Sequence, residues 1–240
     1  MTTYRPDTIK VFRSFTESLI YPIDIKSVVN NVNGTYTLSV CRLLHAQPNF
    51  KITIGATEYK ITAIDDDLNT ITVEGTTPIT ATSFELYKPY FFYGTLLQMN
   101  VELTNQAAVN IPHVPMVFFQ IPFVDTDYND TDPINKSVTG DLFFLTQGDN
   151  FKWLNEQAFD EGVRPMRRLQ QYYVDQMIEL GMSIFNIVPA NQEFKVGDLP
   201  KVGVQTRKGT EKSWWCDNLS GCSMHMEGLG LWDDGKCHGC

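Results

Sequence analysis

Cysteine and histidine are the residues of this sequence best suited to hold a metal ion, and they gather in its last 25 residues. These residues are Cys216, Cys222, His225, Cys237, His238 and Cys240. Zinc takes four such ligands in a tetrahedron, and the spacings Cys222-x-x-His225 and Cys237-x-x-Cys240 suit it. The run Met224–Leu231, however, has the pattern of a strand. We therefore expect no cofactor and keep a zinc site at Cys222, His225, Cys237 and Cys240 as the alternative.

A second group of possible ligands is the acidic run from Asp125 to Asp132, which begins like a calcium loop with oxygen ligands at alternate residues. The EF-hand pattern then requires glycine at its sixth position and glutamate at its twelfth. This chain has Asp130 and Lys136 there. A solvated acidic loop is the preferred interpretation, and an irregular cation site stays open.

Charge is distributed unevenly around this loop. Residues 120–162 contain nine acidic and two basic residues, and Arg164, Arg167 and Arg168 follow directly. Neighbouring surfaces of opposite sign are typical of head-to-tail rings, in which each subunit offers one sign to the next. We therefore predict a subunit interface, with an ordinary uneven surface as the alternative. Its predicted residues are Asp125, Asp127, Asp130, Asp132, Arg164, Arg167 and Arg168.

The sequence contains none of the common nucleophile, phosphate-loop or zinc-protease motifs. Its four histidines include His45 and His113, which have no neighbouring carboxylate in the sequence. The triplet Asp65–Asp67 lies between alternating segments and predicts a hairpin turn. We therefore expect a protein that is not an enzyme.

Composition excludes several classes of protein. Of the 240 residues, 42% are hydrophobic and 20% are charged, and the net charge is −9. The chain is thus too apolar to be disordered, while its apolar runs are too short to span a membrane. A protein that grips a nucleic-acid backbone needs the opposite charge. The start, MTTYRPDTIK, lacks a secretory signal.

The pattern of apolar residues predicts an α+β fold with two parts. A helix capped by Asp7 or Thr8 precedes residues 26–87, where alternation predicts five short strands closing into an antiparallel barrel. Residues 1–25 and 88–240 form the other part, an antiparallel sheet with packed helices. Its predicted elements begin with a helical stretch within Tyr90–Gln106, in which the spacing of Leu96, Leu97, Val101 and Leu103 predicts one buried face. The others are strands at Pro115–Ile121 and Gly140–Thr146, a helix from about Pro165, and strands at Val202–Gln205 and Met224–Leu231.

The order of these pieces resembles the head–tail connector, or neck, proteins of tailed bacteriophages, and in particular their tail-terminator-like ring proteins. The resemblance is carried by Pro115–Phe119, Gly140–Leu145, the Met166–Leu180 helix with its tyrosines, and the stretch from Cys216 to Leu231. The overall sequence pattern is similar to that of neck proteins of Bacteroides-infecting phages, including the crAss-like group. The barrel at 26–87 departs from the minimal pattern and is interpreted as an insertion.

The resemblance implies a mechanical role. Copies made in the host cytoplasm would form a six- or twelve-fold ring in the virion neck, contact the portal or other neck and tail proteins, and let DNA pass without reading its sequence. The chain would not bind a membrane. The alternative is a receptor-binding, glycan-binding or decoration module of the virion, with Tyr36, Tyr59 and Tyr87 near a sugar or peptide.

Overall fold

The computed structural model describes residues 7–31, 33–108, 114–127, 134–148, 155–179, 184–187, 193–202, 204–207, 210–213 and 219–232. Helix α1 runs from Thr8 to Ser18, and the side chain of Asp7 caps it by accepting a hydrogen bond from the backbone N–H of Lys10 at 3.2 Å. Its apolar face buries Phe12 and Phe15. The sequence prediction of this helix and its cap is confirmed.

The barrel is closed and antiparallel, and it has six strands rather than the five that we predicted. The strands are β1 (Pro22–Asn30), β2 (Thr35–Val40), β3 (Lys51–Ile54), β4 (Thr57–Asp65), β5 (Thr70–Glu74) and β6 (Ser83–Glu85), in the spatial order β1-β2-β5-β4-β3-β6. The five predicted segments correspond to β2–β6. Strand β1 escaped prediction because Ile23 is its only buried residue, so it lacks the alternation of its neighbours.

One tight turn and one strand pair shape the barrel locally. The strand β3–β4 connection is the two-residue turn Gly55-Ala56, in which Gly55 has a φ of +64° that suits glycine. Strands β1 and β6 pair with each other, and Pro22 lies opposite Glu85. The chain therefore enters and leaves the barrel through neighbouring strands.

The second sheet has seven strands in the described part of the chain. They are β7 (Tyr90–Gly94), β8 (Met116–Gln120), β9 (Val124–Asp127), β10 (Ile134–Gln147), β11 (Phe185–Asn186), β12 (Phe194–Val202) and β15 (Leu219–Trp232), with a separate hairpin of β13 (Val204–Arg207) and β14 (Thr210–Ser213). The main order is β11-β15-β10-β8-β7. Strands β7 and β8 are parallel, and the other pairs are antiparallel. The predicted strands at 115–121 and 140–146 are thus central, as expected.

Helices cover both faces of this sheet. Helix α2 (Leu96–Ala108) lies on the face that carries Phe118 and buries Met99 and Leu103 there. Helix α1 lies on the opposite face, where the rings of Phe12 and Phe119 stack at 5.0 Å. The predicted helical stretch within residues 90–106 begins only at Leu96, because its first residues form strand β7.

A long helical segment completes the second face. It consists of α3 (Asn155–Gln157), a π-helical turn (Ala158–Val163) and α4 (Arg164–Glu179). Helix α4 starts one residue before Pro165, in agreement with prediction. Its Tyr173 contacts Phe144 of β10 edge-on at 5.4 Å. The buried side chains of this layer and of the barrel form one continuous hydrophobic cluster.

Candidate functional site: a charged cleft between the barrel and helix α4

The turn between strands β4 and β5 carries three consecutive aspartates, as predicted. One carboxylate oxygen of Asp65 accepts hydrogen bonds from the backbone N–H groups of Asp67 and Leu68, both at 3.0 Å. These bonds close the turn and leave the next carboxylate, that of Asp66, to project toward helix α4. Asp66 accepts hydrogen bonds there from Arg164, at 3.1 Å, and from Arg168.

Arg168 is the most enclosed of the three arginines in this part of α4, with 22% of its side chain exposed. Its Nε donates to the carbonyl of Leu44 at 2.5 Å, and its Nη2 donates to the carbonyl of Ala46 at 3.3 Å. Burial lowers the pKa of Arg168, the Asp66 charge raises it, and neighbouring Arg164 lowers it. Arg168 therefore links α4 to two separate segments of the barrel.

Arg164 lies at the junction of the π-helical turn and α4. It also contacts Asp160 one turn earlier, at 2.9 Å, and lies over the ring of Phe159. Its hydrogen bond to Asp66 raises the pKa of the guanidinium. Turns of π-helix recur at functional sites, and this one sets Asp160 and Arg164 beside the barrel.

These groups line a cleft of about 620 Å³ between the barrel and the helical segment. Its charged lining comprises five carboxylates and two guanidiniums: Asp65, Asp66, Asp67, Asp160, Glu161, Arg164 and Arg168. Within the described ranges, no group of three or more histidine, cysteine, aspartate or glutamate side chains is arranged to hold a metal ion. The geometry supports electrostatic attachment of the barrel.

Arg167, the remaining predicted arginine, points elsewhere. Its Nε donates to Asp198 of strand β12 at 2.5 Å, with 45% of the arginine and 35% of the aspartate side chain exposed. This hydrogen bond raises the pKa of Arg167. All three predicted interface arginines thus have carboxylate partners within the same chain.

Asp125, at the start of the predicted acidic loop, has partners other than these arginines. Asp125 accepts hydrogen bonds from Thr8 at 3.0 and 3.1 Å and forms an ion pair with Lys136 at 2.9 Å. Asp127 belongs to strand β9, whereas Asp130 and Asp132 lie outside the described residues. The pairing of the loop with the arginines between subunits stays a prediction; within the chain, Asp125 and the three arginines already have other partners.

The structure does not bring Cys222 and His225 together. Both lie on β15, where side chains alternate between faces, so an odd separation of three residues sends them to opposite faces. Cys222 is buried, and burial raises the pKa of its thiol to about 12, which opposes the thiolate that zinc requires. Cys237 and Cys240 lie outside the described residues.

His225 instead has a partner that sequence reasoning missed. Its Nδ1 lies 2.8 Å from a carboxylate oxygen of Asp141, which is directly opposite on β10. A carboxylate in this position orients an imidazole ring. The two residues are 84 positions apart, so only the register of β10 and β15 brings them together. No local sequence signal could have revealed this pair.

His45 is a second missed feature. It is 1% exposed, and its Nε2 lies 2.8 Å from the carbonyl of Tyr87, so that nitrogen donates the hydrogen bond. Burial lowers the pKa of His45 to about 4; the Tyr87 bond opposes this shift, and the charge of Arg168 adds to it. The imidazole is therefore neutral at neutral pH.

Among the helices of the described residues, none is both long and apolar enough to cross a bilayer. Comparison of the chain with protein-family models, with curated proteins and with solved structures found no match.

Proposed function

We propose that this chain is a structural virion subunit that forms an oligomeric ring in the neck of a tailed phage, joins the portal or head to the tail, and lets DNA pass. The observation that carries the proposal is an apolar surface on helix α2 that a single copy leaves in water. The phage context rests on the resemblance described above.

Helix α2 carries more apolar residues than the sheet beneath it covers. Met99 and Leu103 are buried, but Leu96, Leu97 and Val101 are 42%, 73% and 54% exposed. Sequence spacing predicted that Leu96, Leu97, Val101 and Leu103 would bury one face together, and for the first three this is incorrect. The reason is geometric: the sheet offers α2 a contact only as wide as the arc that contains Met99 and Leu103.

Covering this surface with a second copy would be favourable. Full burial of a leucine or valine side chain contributes about 1.5–3 kcal/mol, so three partly exposed ones contribute several kcal/mol per contact. The stretch Thr95–Val101 also contains no ionisable side chain, in a chain with a net charge of −9. Copies of like charge meet with least repulsion over such an uncharged surface.

The net negative charge agrees with a DNA passage, because acidic walls repel phosphates and keep the duplex from adhering. The same role does not need a catalytic group. The mixed architecture, with a sheet layered between helices beside a closed barrel, is compatible with a ring subunit.

The alternative of a glycan-binding or decoration module receives less support from the barrel. Tyr36 and Tyr59 are 6% and 2% exposed and contact each other edge-on at 6.4 Å. They belong to the barrel core. Of the three tyrosines named for this alternative, only Tyr87, at 51% exposed, could stack on a sugar. A single ring is a poor platform for carbohydrate.

The test is the mass of the purified chain by native mass spectrometry, together with negative-stain microscopy. A ring of six or twelve copies would have a mass of about 0.16 or 0.33 MDa. The double variant Leu97→Glu/Val101→Glu should dissociate it. Leu68→Glu, at a 69% exposed leucine of the barrel turn, is the matched control and should assemble normally. A wild-type chain that stays monomeric at every concentration overturns the proposal.

A further inference from the structure

The connection between β2 and β3 is one of the places where the barrel contacts the rest of the chain. Residues 43–47, here called the junction segment, receive the two Arg168 hydrogen bonds from α4 described above. The side chain of Gln47 accepts a hydrogen bond from Thr146 of β10 at 2.7 Å, and both groups are buried. The segment thus contacts α4, β10 and the Tyr87 carbonyl at once.

The backbone of the junction segment is under strain. Leu44 has a φ of +44°, a left-handed conformation that is uncommon for residues other than glycine, asparagine and aspartate. Such a conformation persists only where the surrounding contacts impose it. Loss of one contact therefore favours relaxation of the whole segment.

His45 lies in the middle of this segment, enclosed on every side. The ring of Tyr21 meets it edge-on at 4.9 Å, and the ring of Tyr172 lies 5.4 Å from that of Tyr21. Among the residues that the structure describes, the second imidazole nitrogen, Nδ1, has no hydrogen-bond partner, and neither does the buried hydroxyl of Tyr21 or the Nε2 of Gln47. The closed segment thus offers no acceptor for a second imidazole proton.

We infer that the junction segment is an acid-sensitive latch, in which protonation of His45 releases residues 43–47 from α4 and β10 while the barrel and the sheet keep their own strand pairing. The geometry explains the release. An imidazolium needs an acceptor for Nδ1–H, and water supplies one only when the segment opens. This device is independent of the proposed ring.

The charged and titratable groups around His45 favour opening. Arg168 of α4 is a cation that raises the energy of a second positive charge, and its partner carboxylate, Asp66, is shared with Arg164. Arg42 lies over the ring of Tyr172 and adds a further cation. Burial raises the pKa of Tyr21 and of Tyr172, so neither phenol supplies a negative charge.

The sign of the pH dependence follows from these contacts. The closed form binds the His45 proton less well than the open form, so the latch is closed above the ordinary histidine pKa of about 6.5. Below that pH the ratio of open to closed molecules rises up to about tenfold per pH unit, until the buried pKa of about 4 is reached. Opening also widens the charged cleft, since Ala46 and Arg168 form part of its wall.

Hydrogen–deuterium exchange tests the latch. Exchange of the full chain is measured at about pH 7 and about pH 5 and corrected for the intrinsic effect of pH on exchange rates. We expect the populations of open forms sensed by the amides of residues 43–47 to rise about tenfold or more at the lower pH. The amides of β4 and β5 should show no such rise. His45→Gln should remove the response, whereas His225→Gln, at the half-exposed histidine, should retain it.

Equal protection at the two pH values, or a response that survives in His45→Gln, overturns the inference. If His45→Gln does not fold, the wild-type imidazole signals by NMR decide. Protonation of His45 must coincide with the loss of protection in residues 43–47. Titration of His45 near its ordinary pKa with the segment still protected contradicts the latch.

Discussion

Arg168 of helix α4 donates a hydrogen bond to Asp66 of the barrel across 102 residues of sequence. The same carboxylate accepts a bond from Arg164, one helical turn away. A single aspartate therefore binds two guanidiniums, and it does so where the barrel contacts helix α4. Without Asp66, Arg168 would lose its carboxylate partner, whereas Arg164 would keep Asp160.

Replacing Asp66 with asparagine should lower the free energy of unfolding by about 1–3 kcal/mol, because Arg168 is largely enclosed and would lose its charged partner. Urea denaturation at neutral pH measures the loss. Asp67→Asn is the matched control in the same turn and should change stability by less than about 0.5 kcal/mol. Equal effects of the two substitutions would contradict the role assigned to Asp66.

The ion pair between Arg167 and Asp198 offers a test of whether this arginine acts within the chain. Arg167→Glu should lower the free energy of unfolding by at most about 1 kcal/mol, since the pair is half exposed. Adding Asp198→Arg in the same chain should recover this stability. Denaturation of the single and double variants measures both steps. A double variant that is no more stable than Arg167→Glu would contradict the role of this pair within the chain.

The two cysteines in the described part of the chain should differ sharply in reactivity. Cys41 is exposed, whereas Cys222 is buried and burial raises its thiol pKa to about 12. Alkylation at about pH 8, followed by peptide mass spectrometry, should modify Cys41 quickly and Cys222 only after unfolding, because the thiolate is the reactive species. Modification of native Cys222 at the rate of Cys41 would show that β15 opens readily.

Local pattern was sufficient to predict much of the fold. The cap at Asp7, the alternating strands β2–β6, the apolar central strands β8 and β10 and the start of α4 all depend on residues close together in sequence. Strand β1 was not predicted because its alternation stops after Ile25, and Val28 and Val29 are consecutive. The helical stretch at α2 was predicted, but its buried face was not. Periodicity identifies the apolar residues of a helix, but it does not give the width of the surface that covers them.

The candidate site was far less predictable. Sequence reasoning selected the three arginines and pairs them with the Asp125 loop of a neighbouring subunit, which stays a prediction. It did not foresee the carboxylates that they contact within the chain, Asp66 and Asp198. It correctly interpreted Asp65–Asp67 as a turn. It did not predict that this turn contacts helix α4 through Asp66. These pairings, like that of His225 with Asp141, depend on how the barrel and the strands dock. Docking involves residues about 30 to 100 positions apart, and no spacing rule covers it.

Close backbone approach at Gly221 yields a further prediction. A Cβ at this position of β15 would lie 1.9 Å from the carbonyl oxygen of Phe144 on β10, and backbone cannot move aside easily. Gly221→Ala should therefore cost more than about 3 kcal/mol or prevent folding, as judged by thermal melting. Gly197→Ala, whose new Cβ would meet only the Ser223 hydroxyl at 3.0 Å, is the comparison and should melt closer to the wild type.

Because Pro22 and Glu85 are neighbours across one strand pair, the ends of the barrel are only about 5 Å apart. A lineage could therefore gain, lose or exchange this unit by recombination without changing the path of the chain on either side. Such an exchange would have to preserve the Asp66 and Ala46 contacts to α4, which would limit acceptable replacements to units carrying a carboxylate and free carbonyls at that seam.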